Sequence, residues 1–151
     1  MVRDALHAFK FEGRRALARP LAALVLEQWA PVIGADVAAL VPVPLGRARE
    51  RERGFNQAAL LAERVAAGLG VPLRSRWLVR ARATRPQSDL GAAERRANVR
   101  GAFAAATAAA GHHVVVVDDV LTTGATVEEC ARALRVAGAA RVGVLTVARV
   151  R

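Results

Sequence analysis

Val114-Val115-Val116-Val117-Asp118-Asp119-Val120-Leu121-Thr122-Thr123-Gly124-Ala125-Thr126 joins four β-branched apolar residues, two adjacent carboxylates and a short hydroxyl and glycine run. The apolar run is continuous rather than alternating, so residues 114–117 predict a strand buried on both faces. Asp118 and Asp119 then fall at its carboxyl end, where open α/β sheets place their ligands. Residues 122–126 predict the turn into the next helix, where unpaired backbone N–H groups and the helix dipole favour an anion. One corner thus offers acceptors for vicinal hydroxyls on Asp118 and Asp119. Beside them, Thr122, Thr123, Gly124, Ala125 and Thr126 offer a ring of donors for a phosphate. That pairing suits a ribose 5-phosphate. Two other proteins end an apolar strand in Asp-Asp. A P-loop nucleotidase needs a Gly-rich loop ending in Gly-Lys-Ser/Thr, and Lys10, the only lysine, has no such context. A receiver domain leaves Thr-Thr-Gly-Ala-Thr unexplained.

Outward from this corner, the spacing predicts a helix over 126–137 with Val127, Cys130, Ala131 and Leu134 inward, ended by Gly138. A strand over 142–147 follows, giving a parallel, right-handed βαβ unit. Upstream, residues 40–43 read as a strand ended by prolines. Residues 57–69 read as a helix with Leu61, Val65 and Leu69 on one face and Gly70 past its end. Trp77 and Val79 mark a short strand. The Arg-rich stretch 80–100 lacks a period and reads as a long loop with room for one turn of helix. Residues 104–110 fit a helix or a spacer. Near the start, Leu21, Leu24, Val25 and Trp29 recur at helical spacing behind Pro20, and Leu6, Phe9 and Leu17 suggest an earlier helical piece. The expected architecture is a three-layer α/β domain around a central, mostly parallel sheet. One domain spans 1–151, with a helical segment over 1–34 and the core over 35–151.

The chain has 151 residues, enough to bury a sheet-centred core. No apolar run reaches the length of a membrane span, and Met1-Val2-Arg3-Asp4 does not open a signal peptide. Cys130, the single cysteine, excludes an internal disulfide or an all-cysteine zinc site in this chain. A reducing, cytoplasmic setting is expected, with Cys130 as a packed thiol. The net charge of +10 has three readings. It marks a nucleic-acid surface, it attracts a polyanionic small molecule, or it reflects a GC-rich genome, since the basic residues are nearly all Arg and alanine is abundant.

An apolar strand, Asp118-Asp119, two residues and then Thr122-Thr123-Gly124-Ala125-Thr126 resembles the phosphoribosyl pyrophosphate (PRPP) signature of type I phosphoribosyltransferases. The resemblance implies that family's three-layer fold, the acidic pair on the ribose 2- and 3-hydroxyls, and the Thr/Gly loop around the 5-phosphate. The donor's pyrophosphate needs a second cradle. Residues 44–57 leave one strand end and enter a helix, so they reach the same edge of the sheet. Leu45 and Gly46 offer backbone there, Gly46 permitting close approach. Arg47 first, then Arg51 and Arg53, offer guanidinium groups that match phosphate oxygens. The alternative is a solvated charge mixture, since Glu50 and Glu52 neutralise part of the run.

This loop narrows the resemblance. Val41-Pro42-Val43-Pro44, the spaced arginines and Arg53-Gly54-Phe55-Asn56-Gln57 resemble the ComF branch of that family. So do Thr84-Arg85-Pro86-Gln87-Ser88-Asp89-Leu90 followed by Arg95, Arg96, Asn98, Gly101 and Phe103, and Lys10 through Gly13. The likeness runs from about residue 9 to the C-terminus. ComF-like proteins are associated with natural competence, the handling of incoming single-stranded DNA. Family members commonly carry a cysteine-rich zinc-binding module ahead of the transferase domain; this sequence contains none, so it is either a short form or one whose N-terminus was lost or misassigned, and contacts made by such a module are left open.

The same resemblance implies a mobile loop within 80–100 that closes over the donor, bringing Arg82, Arg85 and Gln87 to the pyrophosphate; an ordinary exposed loop is the other reading. Mg²⁺ is expected to travel with PRPP, keeping most of its waters and taking no direct protein ligand. The implied reaction passes the phosphoribosyl group to a nitrogenous acceptor, and the protein supplies positioning and electrostatics. No residue is assigned as a catalytic acid or base. Residues 1–34 are the candidate hood for the acceptor. The rival is a protein on the same fold that senses PRPP or handles single-stranded DNA without turnover, although the Phe and Trp residues are too scattered for a stacking platform. A scaffold for acidic partners has only the charge behind it. Beyond PRPP, single-stranded DNA, competence proteins and a homodimer are the partners left open.

Overall fold

The computed structural model describes residues 15–85, 90–121 and 123–149. A 3-10 turn, Arg15–Leu17, leads into α1, Ala18–Trp29. Strand β1, Val37–Pro42, is followed by α2, Arg47–Arg53, and α3, Gln57–Leu69. Then come β2, Leu78–Arg80, α4, Ala92–Val99, and β3, Phe103–Ala105. The chain closes with β4, His113–Leu121, α5, Ala125–Val136, and β5, Arg141–Arg149.

The four valines organise all of this. Val114, Val116 and Val117 have no exposure and Val115 has 7%, so β4 is buried on both sides as its composition demands. It is the central strand of a parallel sheet ordered β1-β4-β5. A short extension lies outside β1: the Leu40 N–H donates to Pro72 O at 2.9 Å and the Arg74 N–H to Leu40 O at 2.9 Å, a single parallel bridge. On one face, Val115 and Val117 pack with Leu40, Leu61, Val65 and the inward side of α1. On the other, Val114 and Val116 pack with Val99, Phe103, Cys130 and Leu134. Alternate side chains of one strand therefore feed two cores, and the three layers follow. The second core also holds the antiparallel pair β2 and β3.

Helix α3 occupies the expected residues, because Asn56 caps it and Gly70, at φ 69°, ends it. Helix α1 turns Ala18, Leu21, Ala22 and Val25 inward, but Leu24 and Trp29 are 48% and 40% exposed. Those two do not share the buried stripe their spacing suggested. Strand β4 runs past residue 117 to Leu121, since β5 keeps pairing with it through Asp118↔Thr146 and Val120↔Ala148. Residues 44–57 are not loop throughout: alternating Arg and Glu conceal α2, a polar helix with no buried residue. The 80–100 stretch contains α4, more than the single turn expected. Residues 103–105 form an edge strand, and a 3-10 turn follows at Thr107–Ala109. The helical piece expected around Leu6 and Phe9 lies outside the described residues. No helix of the described residues is long and apolar enough to cross a membrane.

Candidate functional site

The carboxyl end of β4 delivers two carboxylates into different surroundings. Asp118 is half-buried, while Asp119 is 4% exposed. Each accepts a local backbone hydrogen bond. The Asp119 N–H donates to Asp118 Oδ1 at 2.9 Å, and the Val120 N–H donates to Asp119 Oδ1 at 2.8 Å. Asp119 Oδ2 is buried and has no hydrogen-bond partner. Buried polar atoms are almost always paired, because desolvating one without compensation costs about 1–3 kcal/mol. An orphaned carboxylate oxygen at the ligand-binding edge of a parallel sheet is an acceptor suited to a ligand hydroxyl.

The turn beside it is built for close approach. Gly124, the N-cap of α5, sits at φ 84° in the left-handed region that only glycine enters without strain. Thr123 Oγ1 accepts from the Ala125 N–H at 3.3 Å, fixing the first turn of α5. Ala125 is buried and Thr126 half-buried. Thr122 lies outside the described residues. Glu128 belongs to the same first turn, and a Cβ on Gly124 would meet its Oε1 at 3.4 Å.

The facing wall comes from α2 and β2. Arg49 and Arg53, one helical turn apart on the same side of α2, are half-buried, whereas Arg47 and Arg51 are exposed. Burial lowers the pKa of Arg53 and the nearby Asp119 carboxylate opposes that shift. Arg49 Nη2 is buried without a hydrogen-bond partner. Arg80, at the end of β2, donates from Nε to Pro44 O at 2.9 Å and from Nη1 to Thr84 Oγ1 at 2.7 Å. Its guanidinium lies 4.9 Å from the centroid of the Phe103 ring. Burial, and then the like charge of Arg49, lower its pKa, while Asp118 acts in the opposite direction. Arg53 thus lies within electrostatic reach of Asp119, Arg80 within reach of Asp118, and Arg49 within reach of both arginines.

Leu45 and Gly46 are half-buried at the start of α2. Gly46 has φ −62° and ψ 144°, which any residue adopts, and a Cβ there would only touch Arg80 Cδ at 3.8 Å. Arg82 and Arg85 are directed to α4 instead. Arg82 Nη2 donates to Asn98 O at 2.7 Å and Arg100 O at 2.5 Å, closing the C-terminal end of that helix. The Arg85 backbone exchanges hydrogen bonds with the Asn98 side chain at 3.0 and 2.9 Å, and its guanidinium stands 3.9 Å from Glu94. Gln87 lies outside the described residues. The sequence reading passed over Arg49 and Arg80. The i, i+4 spacing from Arg53 was enough to find Arg49; Arg80, in an aperiodic Arg-rich stretch, carried no local signal.

Cys130 lies fully buried beneath the site. Burial, reinforced by the Asp118 charge, pushes its thiol far up from the ordinary value. Among the described residues no group of three or more His, Cys, Asp or Glu could hold a metal ion.

Residues 56–151 match the phosphoribosyl transferase domain family. The chain is 39% identical over 151 residues to DNA utilization protein YhgH of Salmonella typhi, covering 95% of this chain and 65% of that protein. It is 34% identical to Competence protein F of Haemophilus influenzae over 114 residues, 74% of this chain and 50% of that one. The chain therefore spans less than two thirds of the length of these relatives. Among solved structures, glutamine phosphoribosylpyrophosphate (PRPP) amidotransferase from B. subtilis, complexed with ADP and GMP, superposes with a TM-score of 0.57 at 24% identity, over 86% of this chain and 26% of that one. At that identity the likeness concerns the fold.

Proposed function

The chain belongs to the phosphoribosyl transferase domain family, and from that premise we propose that it binds PRPP where β4 turns into α5. The observation that carries this reading is the buried, partnerless Asp119 Oδ2 beside the half-buried Asp118. Those carboxylates take the ribose 2- and 3-hydroxyls as donors. The 5-phosphate sits at the turn over residues 123–126, against the N-terminus of α5. The pyrophosphate lies toward α2, where Arg53 is within electrostatic reach of Asp119 and the neighbouring Arg49 has a buried, partnerless Nη2.

Mg²⁺ fits here as a companion of the substrate rather than of the protein, because the hard oxygen atoms of the diphosphate and the ribose hydroxyls suit a cation that keeps its waters. When bound, it neutralises charge on the diphosphate. The chain's own residues contribute the rest. Asp118 and Asp119 fix the sugar and favour positive charge on its ring as pyrophosphate departs. The arginines receive the leaving charge, and α5 holds the phosphate in register. The acceptor is a nitrogen nucleophile.

A second reading has its own support. The relatives are named for competence and DNA utilization, and Arg47 and Arg51 project into solvent from a chain of net charge +10. A non-catalytic PRPP sensor, or a protein that handles single-stranded DNA on this fold, uses the same surface. Calorimetry with PRPP and Mg²⁺ separates the possibilities. Wild-type protein binds, and Asp118→Asn/Asp119→Asn loses at least tenfold in affinity; equal affinity in the double variant removes the assignment. Pyrophosphate release in a nucleobase screen then distinguishes turnover from sensing. Single-stranded DNA affinity that falls steeply with salt supports backbone recognition.

A further inference from the structure

We propose that Arg80 is a positioning residue for the pyrophosphate end of the site, clasping the loop after β1 to the loop after β2. The inference rests on the PRPP reading and adds a residue that reading does not use. The Arg80 side chain joins both loops. Its Nε holds Pro44 O, just ahead of α2, and its Nη1 holds Thr84 Oγ1. Below, the guanidinium rests on the Phe103 ring, a cation–π contact that fixes the plane of the fork. Its stem passes beside Gly46, the N-cap of α2.

That location has an energetic cost. Arg80 is desolvated and lies within electrostatic reach of Arg49, a second cation with a buried, partnerless nitrogen. Two such guanidinium groups repel each other across a partly dry space. Neither Asp118 nor Asp119 relieves Arg49 of its unpaired N–H. An anion with several oxygens satisfies both at once, and the rigid clasp holds the start of α2, and so Arg49, at the spacing that anion requires. Lysine cannot reproduce the clasp, because a single ammonium lacks the planar fork that reaches Pro44 and Thr84 together.

Calorimetric titrations of inorganic pyrophosphate and of ribose 5-phosphate, each with Mg²⁺, test the idea on wild type, Arg80→Gln, Arg80→Lys and Thr84→Val. Arg80→Gln is expected to weaken pyrophosphate at least tenfold while ribose 5-phosphate stays within twofold. Arg80→Lys recovers only part of the loss, and Thr84→Val weakens pyrophosphate several-fold. Unchanged pyrophosphate affinity in Arg80→Gln, full recovery in Arg80→Lys, or equal losses for both ligands would overturn the proposal. If Arg80→Gln fails to fold, Thr84→Val decides. Wild type that binds ribose 5-phosphate but not pyrophosphate removes the clasp and leaves the sugar corner standing. Wild type that binds pyrophosphate alone removes the sugar corner and leaves the clasp.

Discussion

Asp119, near the end of β4, lies within electrostatic reach of Arg53, at the end of α2, and opposes the lowering of its pKa by burial. The carboxylate pair of β4 and the half-buried arginines of α2 are thereby linked electrostatically. The far side of α2 is tied down as well. Arg15 donates to Gly54 O and lies 5.2 Å from the centroid of the Phe55 ring. A helix with no buried residue of its own is thus held at its end by partners from other elements.

Asp119→Asn tests whether that carboxylate is kept for ligand or for fold. The amide preserves the shape and the Oδ1 acceptor used by the Val120 N–H, and it removes a buried charge with a partnerless oxygen. Urea denaturation should place the variant within about 1 kcal/mol of wild type, while ribose 5-phosphate affinity drops tenfold or more. A loss of stability above roughly 3 kcal/mol with unchanged affinity would mean that Asp119 is a structural residue.

Asn56 is a joint between core and site. Its Oδ1 accepts from the N–H groups of Ala58 and Ala59 at 3.0 and 3.3 Å, and its Nδ2 donates to Val43 O at 3.2 Å. Asn56→Ala should cost about 1–2 kcal/mol of stability by urea denaturation, the usual worth of an N-cap. Asn56→Asp keeps the cap but not the donor to Val43, so it should recover part of that loss. An alanine variant as stable as wild type would show that α3 does not need the cap.

What was legible in the sequence follows from how each signal is written. The fold was readable because the continuous apolar run Val114–Val117 reads as a strand buried on both faces, and because Gln57 to Leu69 carry a clear stripe that ends at a Gly. Helices α2 and α4 were hidden for a common reason. Both are short and polar, bury at most one residue, and lack a hydrophobic period to detect. On the site, Asp118, Asp119 and the Gly124 turn were visible as one contiguous string. Arg80 was not, since its importance comes from a pairing between strands distant in sequence, which no local pattern records. Leu24 and Trp29 show the converse: helical spacing names a face, but only packing against α3 and β5 decides how wide that face is.

Glu129 gives a pH dependence with a definite sign. Its carboxylate accepts from Arg132 Nε at 2.9 Å and from the Gly101 N–H at 2.9 Å, joining α5 to the turn after α4. The Arg132 hydrogen bond is the main cause that lowers its pKa below the ordinary glutamate value. The folded state therefore binds this proton less readily than the unfolded chain. Its contribution is complete above the ordinary value and disappears as pH falls through the lowered one. Glu129→Gln should lose on the order of 1 kcal/mol near neutral pH, discounted for the half-exposed Arg132 partner. The gap from wild type should close on acidification. A gap that stays constant with pH would assign the loss to packing rather than charge.

Cys130 offers a check on the interior beneath the site. The thiol is fully buried and its pKa is pushed up by burial and by Asp118, so it stays neutral where thiolate reagents act. Native protein at about pH 8 should resist a disulfide reagent and react stoichiometrically once denatured, near the ordinary thiol pKa. Cys130→Ala should cost roughly 1 kcal/mol for a small cavity. Cys130→Ser should cost more, about 1–3 kcal/mol, because its hydroxyl would be desolvated beside Val114 and Leu134 with no evident partner. Fast labelling of the native protein would mean that the floor of the site opens to solvent. A serine variant more stable than the alanine one would mean that a polar group is accommodated there. Either result would contradict a dry layer under Asp118, on which the strength of the site's charge interactions depends.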